Sequence, residues 1–326
     1  MTSSTPTPIP RKGIYTPLVT FFNPDESIDL QSTLTHATRM AAGGVTGLVL
    51  QGSNGEAPHL DHVERRTLVR AIREHLNGLN YPDIQLIVGC GAPSVRETLV
   101  HVTEAKDAGA DFALVLPPSY WVAAMNPAVV EGFLHDVATS SPLPILIYNF
   151  PGVTSGIDIS SDSIIRLANT SPNIVGCKLT CGNVGKLQRI TSTLAPIGGG
   201  GGGGGARAGG FAAFGGKSDF FLPALVAGSH GIIAALANIA PKLHVRLLQL
   251  YEDGDLKGAQ SIQAKLSDAD WALSKVGVVG VKAVIERFFG YGCGRGRRPL
   301  GLVKVEAIGE DVLRVIGEVV RLEKDL

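Results

Sequence analysis

Eight short apolar runs, separated by longer stretches of helical period, constrain the fold of this chain more than any other feature. They lie at 15–21, 46–50, 84–88, 112–116, 144–148, 174–177, 211–214 and 230–234. Runs this short and this apolar predict strands buried on both faces, as in a parallel sheet. The intervening segments 60–76 and 94–108 read as covering helices, the first with Val63, Leu68, Val69, Ile72 and Leu76 on one face. Strand and helix alternating eight times predict an α/β fold, a (β/α)8 TIM barrel. An open, doubly wound sheet of eight strands is the alternative.

The expected barrel spans 13–240, preceded by a Ser/Thr/Pro-rich tail at 1–12 that reads as flexible. After the eighth run the pattern turns all-helical, with amphipathic stretches at 241–251, 256–273, 281–289 and 305–323. These predict a C-terminal helical subdomain, 241–326, packed beside the barrel. Gly198 to Gly205 is unbroken glycine, and 198–210 reads as a flexible surface loop dispensable for chemistry.

Charge excludes several partners. Lys and Arg number 29, as do Asp and Glu, so nothing favours nucleic acid or an anionic membrane. No stretch approaches the ~20 apolar residues of a membrane span. Cys90, Cys177, Cys181 and Cys293 form neither a disulfide framework nor a metal-ligand pattern, so reduced thiols and no metal are expected. The tail lacks a signal-peptide core and a convincing transit helix, and the expected location is cytoplasmic.

Lys178 ends the sixth apolar run, in Ile174-Val175-Gly176-Cys177-Lys178. Burying an ammonium is costly, whereas a lysine at the active rim of a barrel can act as a neutral amine nucleophile toward a carbonyl. Tyr148 closes the preceding run and offers a phenol for proton transfer at the same rim. Gly52-Ser53-Asn54-Gly55-Glu56 follows the second run and supplies hydroxyl, amide and backbone donors suited to a carboxylate. Gly215-Gly216-Lys217-Ser218 suggests a phosphate loop, but Phe211 stands where the motif needs glycine.

These three ordered motifs resemble those of the dihydrodipicolinate synthase / N-acetylneuraminate lyase family of class I aldolases, from about Gly13 to the C-terminal helices. The resemblance implies a cofactor-free lyase in which Lys178 forms the Schiff base, Tyr148 shuttles protons, and Ser53 and Asn54 bind the keto-acid carboxylate. It further implies that Tyr120 reaches into a neighbouring subunit's site. Thr180 and Gly216 would line the pocket, and the Ile233 carbonyl would lie near the lysine. The implied partners are a keto acid and an aldehyde, in a homotetramer built from two dimers.

Departures from the synthase pattern bear on substrate. Synthases carry an arginine five residues after the strand tyrosine, and Val153 stands there. Losing that charge-assisted pair argues against aspartate semialdehyde as a substrate. The Gly-Ser-Asn-Gly-Glu loop and the Pro151-Gly152-Val153-Thr154-Ser155-Gly156 segment instead resemble 4-hydroxy-2-oxoglutarate aldolases and fungal L-threo-3-deoxy-hexulosonate aldolases. The expectation is cleavage of a 2-keto-3-deoxy sugar acid or 4-hydroxy-2-oxo acid to pyruvate and an aldehyde. Condensation by a dihydrodipicolinate synthase is the alternative, and a keto-acid sensor without catalysis is a further one.

Overall fold

Asp29, Asp61, Ser94, Asn126, Ser160 and Asn183 each stand just before a helical stretch and accept a hydrogen bond from a first-turn backbone N–H. These caps fix where each strand-following loop ends. The computed structural model describes residues 7–195 and 210–326. The polyglycine run and the first six residues of the tail, with the flexibility expected of them, lie outside the described residues.

Eight parallel strands form a closed barrel in chain order, confirming the expected fold over the open sheet. They are β1 (Gly13–Pro17), β2 (Gly47–Leu50), β3 (Gln85–Gly89), β4 (Phe112–Val115), β5 (Ile145–Asn149), β6 (Ile174–Leu179), β7 (Ala212–Gly215) and β8 (Gly231–Ile233). The helices are α1 (Leu30–Ala42), α2 (His62–Gly78), α3 (Val95–Asp107), α4 (Pro127–Ser140), α5 (Ser161–Thr170), α6 (Val184–Leu194), α7 (Phe221–Val226), α8 (Pro241–Glu252), α9 (Leu256–Ser274), α10 (Gly277–Phe289) and α11 (Glu310–Asp325). Each strand lies within a residue or two of its apolar run except β1. It ends at Pro17, beyond which the Leu18 N–H makes one more bond to β2, to the Val49 carbonyl at 3.0 Å. The expected helix over 305–323 is broken into a single 3-10 turn at Val305–Ala307 and α11.

The chain divides into two compact units. One comprises Ile87–Gly216 and Pro223–Gly231 with the N-terminal segment; the other comprises Gly13–Leu86, Lys217–Leu222 and Ile232–Leu326. In the first, β5 and β6 are buried at every position, which explains why their sequences read as unbroken apolar runs. A register shift between Ile145 and Leu146 pairs Leu146 with Gly176 and leaves Val175 unopposed. Gly176 is obligatory at this bulge, because a Cβ there would collide with the Ala212 carbonyl oxygen of β7. In the second unit, α10 and the segment after it pack near the turn that follows β2, through contacts described below.

Candidate active site

The bulge decides which side chain of β6 meets Tyr148. Continuing the pairing of Ile145 with Ile174 would set Tyr148 opposite Cys177; after the shift it stands opposite Lys178. Lys178 Nζ donates to Tyr148 Oη at 3.1 Å and lies 4.2 Å from the ring centroid. Both residues are 3% exposed. Two further lysines, Lys186 and Lys282, are as deeply buried, and each is paired with a carboxylate, Asp158 and Glu56 respectively. Among the described residues Lys178 has no carboxylate partner; its polar contact is the phenol. Cys177, the neighbour it displaces, is fully buried, and burial pushes its thiol up, so it is a poor nucleophile.

Thr180 follows Lys178 by two residues. Its N–H donates to the Asn149 carbonyl at 3.0 Å, while its hydroxyl is buried with no hydrogen-bond partner. Gly216, just past β7, packs against it. A Cβ at Gly216 would come within 2.5 Å of Thr180 Cα and 2.6 Å of its nitrogen. Gly216 is therefore fixed by close approach, a steric reason for glycine there that involves no phosphate.

Sequence reasoning missed the network that holds the loop after β5. Asn149 donates from Nδ2 to Asp158 Oδ1 at 2.7 Å and accepts from the Ile159 N–H at 2.9 Å. Lys186 of α6 pairs with Asp158 and donates to the Ile159 carbonyl at 2.8 Å. Hydrogen bonds to Asn149 and Lys186 hold the Asp158 carboxyl below the usual carboxylate range despite its partial burial. The loop so anchored carries Val153, which is 44% exposed and presents no charge.

Tyr120 stands apart from the buried pair. It is 77% exposed, beside Trp121 at 70%, with the two rings edge-on and centroids 5.1 Å apart.

In the second unit, Ser53 and Asn54 are half-buried in the turn after β2, and Ile233 is the buried last residue of β8. The turn is closed by the Gly55 N–H on the Gly52 carbonyl at 3.0 Å and the Glu56 N–H on the Ser53 carbonyl at 3.2 Å. Gln51 and Glu56 flank it, both with left-handed backbone, φ 53° and 54°. Glu56 was within the quoted motif but its buried partner Lys282 was not foreseen. The signal was a single lysine inside the apolar stretch Val281-Lys282-Ala283-Val284-Ile285.

A model of the dihydrodipicolinate synthetase family matches residues 10–312. A relative from Emericella nidulans, named "Probable 4-hydroxy-2-oxoglutarate aldolase, mitochondrial", is 44% identical over 88% of this chain and 88% of its own. The L-threo-3-deoxy-hexylosonate aldolase of Hypocrea jecorina is 43% identical over 96% of this chain and 98% of its own. A solved dihydrodipicolinate synthase family protein from Coccidioides immitis superposes with a TM-score of 0.84 at 36% identity, covering 98% of both chains. The cytoplasmic expectation is overturned: the Emericella protein and another aldolase relative are mitochondrial by name. The expectation rested on the absence of an amphipathic helix in 1–12, and an absence of that kind does not fix a compartment.

Proposed function

From the premise that this chain belongs to the dihydrodipicolinate synthetase family, and is therefore a lyase of the Schiff-base aldolase class, we propose that it cleaves a 4-hydroxy-2-oxo acid or 2-keto-3-deoxy sugar acid to pyruvate and an aldehyde. The observation that carries the assignment is the Lys178–Tyr148 pair: a buried amine whose polar partner is a phenol, against two other buried lysines that are neutralised by carboxylates.

In this reading Lys178 adds to the C2 ketone and, with loss of water, forms an iminium ion. Ser53 and Asn54 hold the C1 carboxylate. Tyr148 takes the proton of the C4 hydroxyl as the C3–C4 bond breaks, and the bonding electrons pass into the iminium to give an enamine. The aldehyde leaves, a proton returns to C3, and water hydrolyses the imine to free pyruvate and Lys178. The iminium supplies the electron sink, so the reading requires no metal, and activity is expected to survive a chelator. Thr180 and Gly216 line the pocket, and Tyr120 serves a neighbouring subunit in a homotetramer. The mitochondrion is the location the relatives' names support. Val153, apolar and exposed where a synthase needs a cation, disfavours condensation with aspartate semialdehyde.

Borohydride reduction in the presence of pyruvate, followed by peptide mass mapping, tests this. A pyruvyl adduct on Lys178 is expected. No adduct, or one on Lys282, overturns the assignment.

A further inference from the structure

The charged groups around Glu56 are more elaborate than a turn requires. Its carboxylate is 1% exposed and pairs with Lys282 of α10, which is itself 0% exposed. Its second oxygen accepts from His59 Nδ1 at 2.9 Å and from the Arg297 N–H at 3.0 Å. Lys282 also donates to the Arg295 carbonyl at 2.8 Å and sits 4.6 Å from the Phe22 ring centroid. The Arg297 guanidinium in turn bonds the His59 carbonyl at 2.5 Å, the Glu26 carbonyl at 2.7 Å and the Glu64 carboxylate. On the other flank of the turn, Gln51 Nε2 donates to the Arg65 carbonyl at 2.6 Å, and Thr20 Oγ1 to the Gly55 carbonyl at 2.9 Å.

The contacts of Gln51, Gly55 and Glu56 fix the residues on either side of Ser53 and Asn54, and those of Lys282 and Arg297 hold Glu56's partners, while Ser53 and Asn54 remain half-exposed. Glu56 keeps a left-handed backbone that a non-glycine residue adopts only where its surroundings over-determine it. Stability alone does not account for such a pair, because a well-packed apolar pair of similar volume commonly stabilises as well or better. What two buried charges do supply is one geometry, with alternatives excluded by the cost of an unpaired buried charge.

We propose that Glu56 and Lys282 are positioning residues: their buried ion pair holds the turn after β2 in the conformation that presents Ser53 and Asn54 to the substrate carboxylate. This rests on the assignment of those two residues made above. It couples carboxylate recognition to α10, an element outside the strand–helix repeat. Loosening the pair weakens the grip on the carboxylate while leaving the amine of Lys178 and its reaction with a carbonyl in place.

The test compares borohydride trapping on Lys178 by pyruvate and by glycolaldehyde, a carbonyl compound without a carboxylate. The proteins are the parent, Glu56→Gln and Lys282→Met, with KM and kcat for cleavage measured alongside. In both variants the half-saturating pyruvate concentration should rise about tenfold or more, the loss expected when a charge-assisted contact is disordered. Glycolaldehyde labelling should stay within about twofold, and KM should rise by a larger factor than kcat falls. Pyruvate and glycolaldehyde curves that shift together, or a pyruvate curve that does not shift, overturn the positioning role. So does failure of both variants to fold, since the pair is then a requirement of the fold. Absence of any Lys178 adduct in the parent overturns instead the Schiff-base assignment, so the two failures are distinguishable.

Discussion

Tyr148 and Lys178 face each other across β5 and β6 because a one-residue bulge at Val175 brings Lys178, and not Cys177, into register with the tyrosine. The 3.1 Å contact between phenol and amine follows from that register. A side chain so placed is available both to the imine nitrogen and to a hydroxyl two carbons away.

Replacing Tyr148 by Phe removes the phenolic oxygen and keeps the ring. Imine formation should continue, read as pyruvate trapped on Lys178 at near-parent yield. Cleavage should slow by about 10²- to 10⁴-fold, the contribution of a positioned general acid–base group. Equal loss in trapping and in turnover would remove Tyr148 from the bond-breaking step.

Thr180 carries the complementary prediction. Its hydroxyl is buried and unpartnered, a state that costs about 1–3 kcal/mol. Thr180→Val keeps the shape and removes the orphan group, so thermal stability should hold or rise by about 1 kcal/mol. If the hydroxyl is reserved for a substrate oxygen, KM for the hydroxy-keto acid should rise about tenfold in the same variant. A drop in stability with unchanged KM would mean that the hydroxyl serves the fold alone.

The barrel and the adjacency of Lys178 and Tyr148 were legible in the sequence because both rest on local pattern: apolar runs at strand length, and polar residues at their ends. The bulge was not, since nothing in Ile174-Val175-Gly176 distinguishes a skipped residue from a paired one without the neighbouring strand. Glu56 and Lys282 lie 226 positions apart, and only the closed chain reveals that each neutralises the other. Asn149 and Lys186 carry no signal in the sequence for the same reason: their partner, Asp158, lies in a loop whose path the periodicity does not predict. Val305 fell inside an amphipathic pattern that continues through α11, yet the helix proper begins at Glu310, behind its N-cap Gly309, and the pattern could not place that break.

Close packing at Gly216 makes a sharp contrast possible. Gly216→Ala places a methyl against the backbone of Thr180, so β7 or the end of β6 must move. A loss of about 1–3 kcal/mol is expected, with reduced turnover. Gly132 lies within α4, and a Cβ there meets nothing within 4 Å. Gly132→Ala should therefore stabilise by about 0.5–1 kcal/mol and leave kinetics unchanged. Paired thermal melts decide the matter: similar effects of the two substitutions would contradict the close approach.

Acid sensitivity should arise from His36 and His244. Burial, aided by the Arg39 charge, pushes His36 down to about 3, and burial pushes His244 down to about 4. His36 is neutral in a fixed tautomer. Arg39 Nε donates to Tyr291 Oη at 2.8 Å, which leaves the tyrosine O–H for His36 Nδ1 at 2.8 Å and puts the imidazole proton on Nε2, toward Asn238 Oδ1 at 2.9 Å. Asn238 passes the order on to the Pro17 carbonyl at the end of β1, at 3.0 Å. Because the folded values lie below the unfolded value near 6.5, the unfolded chain binds more protons between them. Stability is thus complete above pH 6.5 and falls as pH drops, by about 2 kcal/mol per histidine at pH 5. Asp270 acts in the opposite sense, since burial and the Asp219 charge raise it to about 6 and favour the folded state at low pH. A variant difference separates the two effects. In His36→Gln the amide reproduces one donor and one acceptor without titrating, so its urea midpoint relative to the parent should rise between pH 7 and pH 5. A difference that stays constant over that range would show that His36 is not held neutral by its burial.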